Sequence, residues 1–179
     1  MKTIYDAPTT EMKDVFALAL AFHPTIVDAE LAIGLQSACK MDADQEIFPA
    51  LKCRGMPAAA IIQKVSPAKR VLLEFDAIIS IDLARWKEMT RAQQIAVLDH
   101  ELEHIDFILK DDTYVYDDKQ RPKFKLKPDE IVLTGFSAVI RRHGRSALEY
   151  RSITAAQTAM EAAIAIHEAA STVADAAAA

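Results

Sequence analysis

Apolar positions switch between two periods along the chain, and the switches divide it into elements. Residues 15–22 (VFALALAF) form an apolar run after Thr9 and Thr10, either of which can cap a helix reaching about residue 22. Glu11 then lies in the first turn and Pro24 just past the end, where His23 reads as a helix-terminus histidine. Residues 25–40 are ambiguous; a strand over 29–35, with Glu30, Ala32 and Gly34 on one face, is preferred to a helix. Asp42, Asp44, Pro49, Gly55 and Pro57 make residues 40–57 a loop.

Residues 58–65 (AAAIIQKV) read as a strand, and Ser66-Pro67 as the start of a short helix over roughly 67–75. Residues 76–83 (DAIISIDL) are β-branched at Ile78, Ile79 and Ile81 and read as a second strand, with Trp86 anchoring the connection that follows. Ile95, Leu98, Leu102, Ile105 and Ile108 then share one helical face. They predict a central helix capped by Thr90, running to about residue 109 and ended by Asp111-Asp112.

Downstream, Phe124 and Leu126 alternate with Lys123, Lys125 and Lys127, which predicts a hairpin of 114–116 and 121–127 around a polar turn. Its lysine face reads as a solvated face that blunts a sheet edge rather than as a patch for an acidic partner. Pro128 with Asp129-Glu130 opens another helix, through Phe136, Val139 and Ile140 to Gly144, which follows Arg141, Arg142 and His143. From Ser146 the chain is Ala-rich, with Leu148, Ile153, Met160 and Ile164 near one stripe. The pattern gives an α+β domain over residues 1–145 and a helical tail over 146–179, which can pack on the domain, mediate self-association or fray. His167 in the tail reads as a surface or interface histidine.

Composition narrows the class. The chain has 179 residues and a net charge of −5, which argues against a general nucleic-acid binder. Two cysteines, Cys39 and Cys53, make no disulfide framework and read as reduced thiols. No apolar run is long enough to span a membrane, and the run at 15–22 follows acidic residues rather than a basic leader. A cytoplasmic protein is expected.

The chemistry concentrates in His100-Glu101-Leu102-Glu103-His104, a His-Glu-x-x-His sequence within the central helix. Residues four apart share a helical face, so His100 and His104 can present two imidazoles to one metal ion. Glu101 falls roughly 100° round the helix from His100, where a carboxylate must stand to take a proton from a water on the metal. This is the arrangement of two zinc ligands and the general base of a metallopeptidase. Glu103 departs from the usual pattern by placing a charge at a position that is ordinarily uncharged.

A catalytic zinc wants three protein ligands and an open position. The third is sought downstream: Asp129 or Glu130 in preference, His143 otherwise. Tyr114, Tyr116 and His143 are candidate oxyanion donors. Asp99 and Asp106 are candidates for orienting an imidazole N–H, although each also reads as a solvated helix carboxylate.

The run KVSPAKRVLLEFDAIISIDLARWKEMTRAQQIAVLDHELEHID, followed by a hairpin and an F-x-x-V-I-R-R-H-G ending, resembles the phage metallopeptidases, a zincin-like family of bacteriophages and prophages. The resemblance covers about residues 10–145 and is most specific over Asp99–His104 with the preceding Trp86 segment. It implies a zincin-like fold, zinc on His100 and His104, and catalysis by Glu101, but supplies no substrate; a peptide or protein substrate is expected from the peptidase motif itself. In zincins an edge strand beside the cleft precedes the motif helix, and residues 76–83 stand in that place. Two other classes stay open: a non-catalytic phage interaction or regulatory protein on a zincin scaffold, and a metal hydrolase of a non-peptide amide.

Overall fold

In the computed structural model, which describes residues 1–129 and 136–151 together with 153, 154, 157 and 158, the chain opens with strand β1 (Thr3–Asp6) and helices α1 (Thr10–Leu20) and α2 (Pro24–Asp28). Thr9 caps α1 by accepting the Met12 N–H at 3.2 Å. Next come β2 (Ile33–Met41), the two-residue strands β3 (Ile47–Phe48), β4 (Lys52–Cys53) and β5 (Met56–Pro57), and β6 (Ala60–Lys64). A single 3-10 turn (Lys69–Val71) leads to β7 (Ala77–Asp82), α3 (Leu83–Glu88) and α4 (Arg91–Glu103). Short strands follow, β8 (Ile105–Phe107), β9 (Leu109–Lys110), β10 (Thr113–Tyr114) and β11 (Phe124–Leu126), and then α5 (Ser137–His143). Residues 148–151 are helical.

The architecture is mixed α+β. The main sheet runs β1-β2-β7-β6, with β3 added to the end of β2. β2 and β7 are parallel and the other pairs antiparallel. α1 packs along α4, and their apolar faces close over the sheet. Met12, Val15 and Ala19 meet Leu98, Leu102, Ile79, Ile81, Trp86 and Phe124 in one core. Phe136, Val139 and Ala147 form a smaller cluster around α5.

Several expectations need correction. Residues 76–83 do not form an edge strand: β7 lies between β2 and β6, and the edges of the described sheet are β6 and β1. β7 is buried at nearly every position, and its apolar residues satisfy both faces of an interior strand. The strand expected over 29–35 starts at Ile33, because Pro24 opens a further helical turn instead of only ending the first. The helix expected over 67–75 is one 3-10 turn. The loop expected over 40–57 holds the end of β2 and the small hairpin β4–β5, turned by Arg54 and Gly55 at positive φ.

The central helix ends at Glu103 with His104 as its cap, not near residue 109. The Lys127 N–H takes the His104 carbonyl at 2.8 Å, and the chain leaves as β8, paired with β11. Ile105 and Phe107 flank Asp106 with a period of two, which suits that strand. Asp111 and Asp112, both at positive φ, close the β9–β10 hairpin rather than ending a helix. The hairpin tip at 117–120 is as expected and is closed by a Tyr116–Pro122 bridge, but its second arm pairs with β8. Pro128 and Asp129 lie outside any helix; α5 runs over Ser137–His143 and is capped by Gly144, whose φ of 53° favours glycine. Glu130, and the tail beyond residue 158 with Met160, Ile164 and His167, lie outside the described residues. Cys39 is buried, Cys53 exposed, and both are free. Among the described residues no helix is long and apolar enough to cross a membrane.

Candidate metal centre

Helix α4 carries the motif and is rigidly started. Thr90 accepts the Gln93 N–H, and the Gln93 side chain accepts the Thr90 N–H at 3.0 Å, a reciprocal capping box. Buried residues occur all round the helix, so its polar groups must find partners inside the protein. That requirement organises the site.

His100 and His104 lie one turn apart with ring centroids 5.0 Å from each other. Asp129 approaches from the chain that follows β11. Its Oδ1 lies 3.5 Å from His100 Nε2 and 3.8 Å from His104 Nε2. The three ligand atoms fall within 4.8 Å of one another. Phe136 walls the site, its ring 5.1 Å from that of His100 and 4.8 Å from that of His104.

The far side of each imidazole is anchored. His104 Nδ1 donates to the Lys127 carbonyl at 2.7 Å, and His100 Nδ1 to Glu149 Oε1 at 2.6 Å. Each bond holds a proton on Nδ1 and turns Nε2 towards Asp129. Burial disfavours the charged form of His100, but the Glu149 hydrogen bond and the Glu101, Glu149 and Asp129 charges outweigh it and raise its pKa.

Glu101 is 6% exposed and points to the edge strand β6, where its Oε2 accepts the Ile62 N–H at 2.7 Å. Burial pushes its pKa above the ordinary carboxylate value, against the opposing pull of His100, His104 and the Ile62 N–H. A carboxylate with a raised pKa beside two imidazoles is a candidate for proton transfer.

The remaining sequence candidates lie elsewhere. His143 Nε2 is 2.7 Å from Asp99 Oδ2 and is not brought to His100 and His104. Asp99 is fully buried rather than solvated, and it orients other rings than the motif pair. His23 donates to its Oδ1 at 2.6 Å, and Arg142 makes a two-pronged contact at 2.8 and 3.0 Å. His23, read as a terminus residue, therefore has a second duty as a partner of this carboxylate. Burial opposes the ionisation of Asp99, but His23 and Arg142 hold its pKa below the ordinary range. Arg142 also reaches Glu103 at 3.0 Å and, with Lys127, supplies the partners that the unusual charge at that position requires. Asp106 pairs with Lys125. Tyr114 packs on Phe107 with its hydroxyl towards the Thr25 carbonyl, and Tyr116 lines a separate cavity beside Arg121, so neither faces His100, His104 and Asp129. Glu149, Phe136 and the Lys127 carbonyl were not anticipated. A lone carboxylate flanked by Leu148 and Tyr150 is the only sequence signal for the first of them.

The donor set fits a metal. Donors about 2.0–2.1 Å from one tetrahedral zinc stand roughly 3.3 Å apart, close to the spacings seen here. Asp129 Oδ1 is a buried atom with no hydrogen-bond partner among the described residues, although it faces two imidazole nitrogens. A cation between them would relieve that deficit. The second acidic cluster, His23, Asp99 and Glu103, already has its cation in Arg142.

No curated protein and no solved structure matches the chain. The family described as Putative phage metallopeptidase matches residues 28–163, a span that holds His100, Glu101, His104, Asp129 and Glu149. The chain belongs to this phage metallopeptidase family.

Proposed function

We propose that the protein is a zinc-dependent peptidase of zincin-like design. His100, His104 and Asp129 hold the ion, and Glu101 is the general base. The observation that carries this reading is the convergence of two Nε2 atoms on a buried carboxylate oxygen that otherwise lacks a partner among the described residues. Bound there, zinc would supply a Lewis acid towards water and a substrate carbonyl.

Glu101 does the proton work. Its Oε2 is held by Ile62, which leaves Oε1 to take the proton of the attacking water and to pass it to the leaving amine. The carboxyl must gain and then lose a proton within one turnover, and burial, which favours its neutral form, helps it to hold the proton between the two steps. The Nδ1 anchors keep both imidazoles from turning, and Phe136 screens the site from water on one side. A binding module on the same scaffold would have no use for a buried carboxylate beside the two histidines.

Substrate is expected along β6. Ala60 and Lys64 direct their backbone groups away from β7 on either side of Ile62, whose N–H is held by Glu101. An extended peptide can add to such an edge as another strand. The test is cleavage of a diverse peptide library by the zinc-loaded chain, by the chelator-treated chain and by Glu101→Gln. Cleavage confined to the loaded wild type supports the reading. A loaded wild type that cleaves no peptide but hydrolyses other amides would move it to a non-peptide hydrolase.

A further inference from the structure

We propose that Glu149 is a positioning residue of the metal centre, which makes the helical stretch beginning at residue 148 part of that centre. This rests on the reading of His100 as a ligand. Glu149 is 4% exposed, and its Oε1 lies 2.6 Å from His100 Nδ1. A carboxylate so far removed from water needs a donor, and His100 supplies one. An ionised carboxylate only accepts, so the proton of the neutral ring stays on Nδ1. The lone pair is then on Nε2, the atom 3.5 Å from Asp129 Oδ1.

The two histidines are thereby made unequal. His104 rests on a backbone carbonyl, a neutral acceptor fixed by the same turn that ends α4. His100 rests on a charge from another element, 49 residues away in sequence. A charged acceptor makes the stronger bond and the more basic imidazole. The segment that delivers it is well seated. Gly144 reverses the chain at a φ of 53°, Ala147 is buried with Phe136 and Val139, and Leu148 packs on the main core. Phe136, from the same cluster, also lies against both rings. One packing unit thus supplies both the wall of the site and the anchor of one ligand.

The experiment uses the full chain as wild type, Glu149→Ala and Glu149→Gln. Zinc affinity is measured by competition with a chromophoric chelator. The His100 ring tautomer is read by proton–nitrogen NMR on the metal-free protein, at a pH where the ring is neutral. Glu149→Ala should bind zinc about 10- to 100-fold more weakly and lose the fixed Nδ1–H. Glu149→Gln, whose amide oxygen can accept the same bond, should recover most of both, and it reports on the proposal if the alanine variant fails to fold. Zinc affinity within about twofold of wild type in Glu149→Ala, with the tautomer unchanged, would overturn it. A wild type that binds no zinc overturns the peptidase reading instead. In that event the role in a metal centre falls with it: an Nδ1–H fixed in wild type and lost in Glu149→Ala supports only the orienting of the His100 ring by Glu149, and a ring unfixed in wild type overturns that as well.

Discussion

The backbone N–H of Ile62 donates to Oε2 of Glu101 at 2.7 Å, so the edge strand β6 holds the carboxylate that lies beside the two histidines. The bond separates two duties of Glu101 that substitutions can tell apart. Glu101→Gln keeps an acceptor for Ile62 but removes the base. Peptide hydrolysis should fall by about 10²- to 10⁴-fold while the thermal midpoint holds. Glu101→Ala should lose the same activity and also about 1–3 kcal/mol of stability, because the Ile62 N–H is left unpaired. Activity assays paired with denaturant melts check both; a glutamine variant as active as wild type would remove Glu101 from the reaction.

Asp129 should act in opposite directions with and without metal. In the metal-free chain its Oδ1 is buried without a partner among the described residues, so Asp129→Ala should leave stability unchanged or slightly raised. With zinc present the wild type should gain stability by mass action, and the variant should gain little. Thermal midpoints with zinc and with chelator measure the four states. Equal zinc-induced shifts in the two proteins would exclude Asp129 as a ligand.

Asp99 is the joint between α4, the α1–α2 corner and α5. Asp99→Ala would leave His23, Arg142 and His143 around an empty position and should cost about 3–5 kcal/mol in denaturant unfolding. Asp106→Ala, which removes only a surface pair with Lys125, should change stability by less than about 0.5 kcal/mol. Similar costs for the two would contradict the account of Asp99.

The same joint sets an acid limit. Asp99 and Glu103 are held below their ordinary pKa values, each against the opposing effect of burial, by His23 and Arg142 in one case and by Arg142 and Lys127 in the other. A depressed carboxylate contributes stability that is complete above its unfolded pKa, about 4, and lost as pH falls through the lower folded value. Thermal midpoints should therefore fall below pH of about 4, and the fall should be smaller in Arg142→Ala. An identical acid profile in that variant would contradict the assignment.

The site was half legible in the sequence. The spacing of His100, Glu101 and His104 needs only helix geometry, and Thr90 with Gln93 marks where the helix begins. What could not be read depends on partners far along the chain. The end of α4 is set by the Lys127 N–H on the His104 carbonyl, which no property of Ile105 or Ile108 announces. β7 is interior because β2, some forty residues earlier, lies parallel to it, and its sequence suits an edge or an interior place equally. Asp99 looked solvated because the residues that pair with it, His23 and Arg142, come from the α1–α2 corner and from α5. Glu149 sits in an Ala-rich stretch whose composition speaks only of helix.

The central claim is that His100 and His104 hold a metal with Glu101 beside it, outside the ligand set. Elemental analysis of the wild type, Glu101→Gln and His104→Ala, each purified without added metal, tests it most directly. The account predicts about one zinc per chain in the wild type and in Glu101→Gln, and its loss in His104→Ala. No metal in any of the three, even after zinc is supplied, would contradict it.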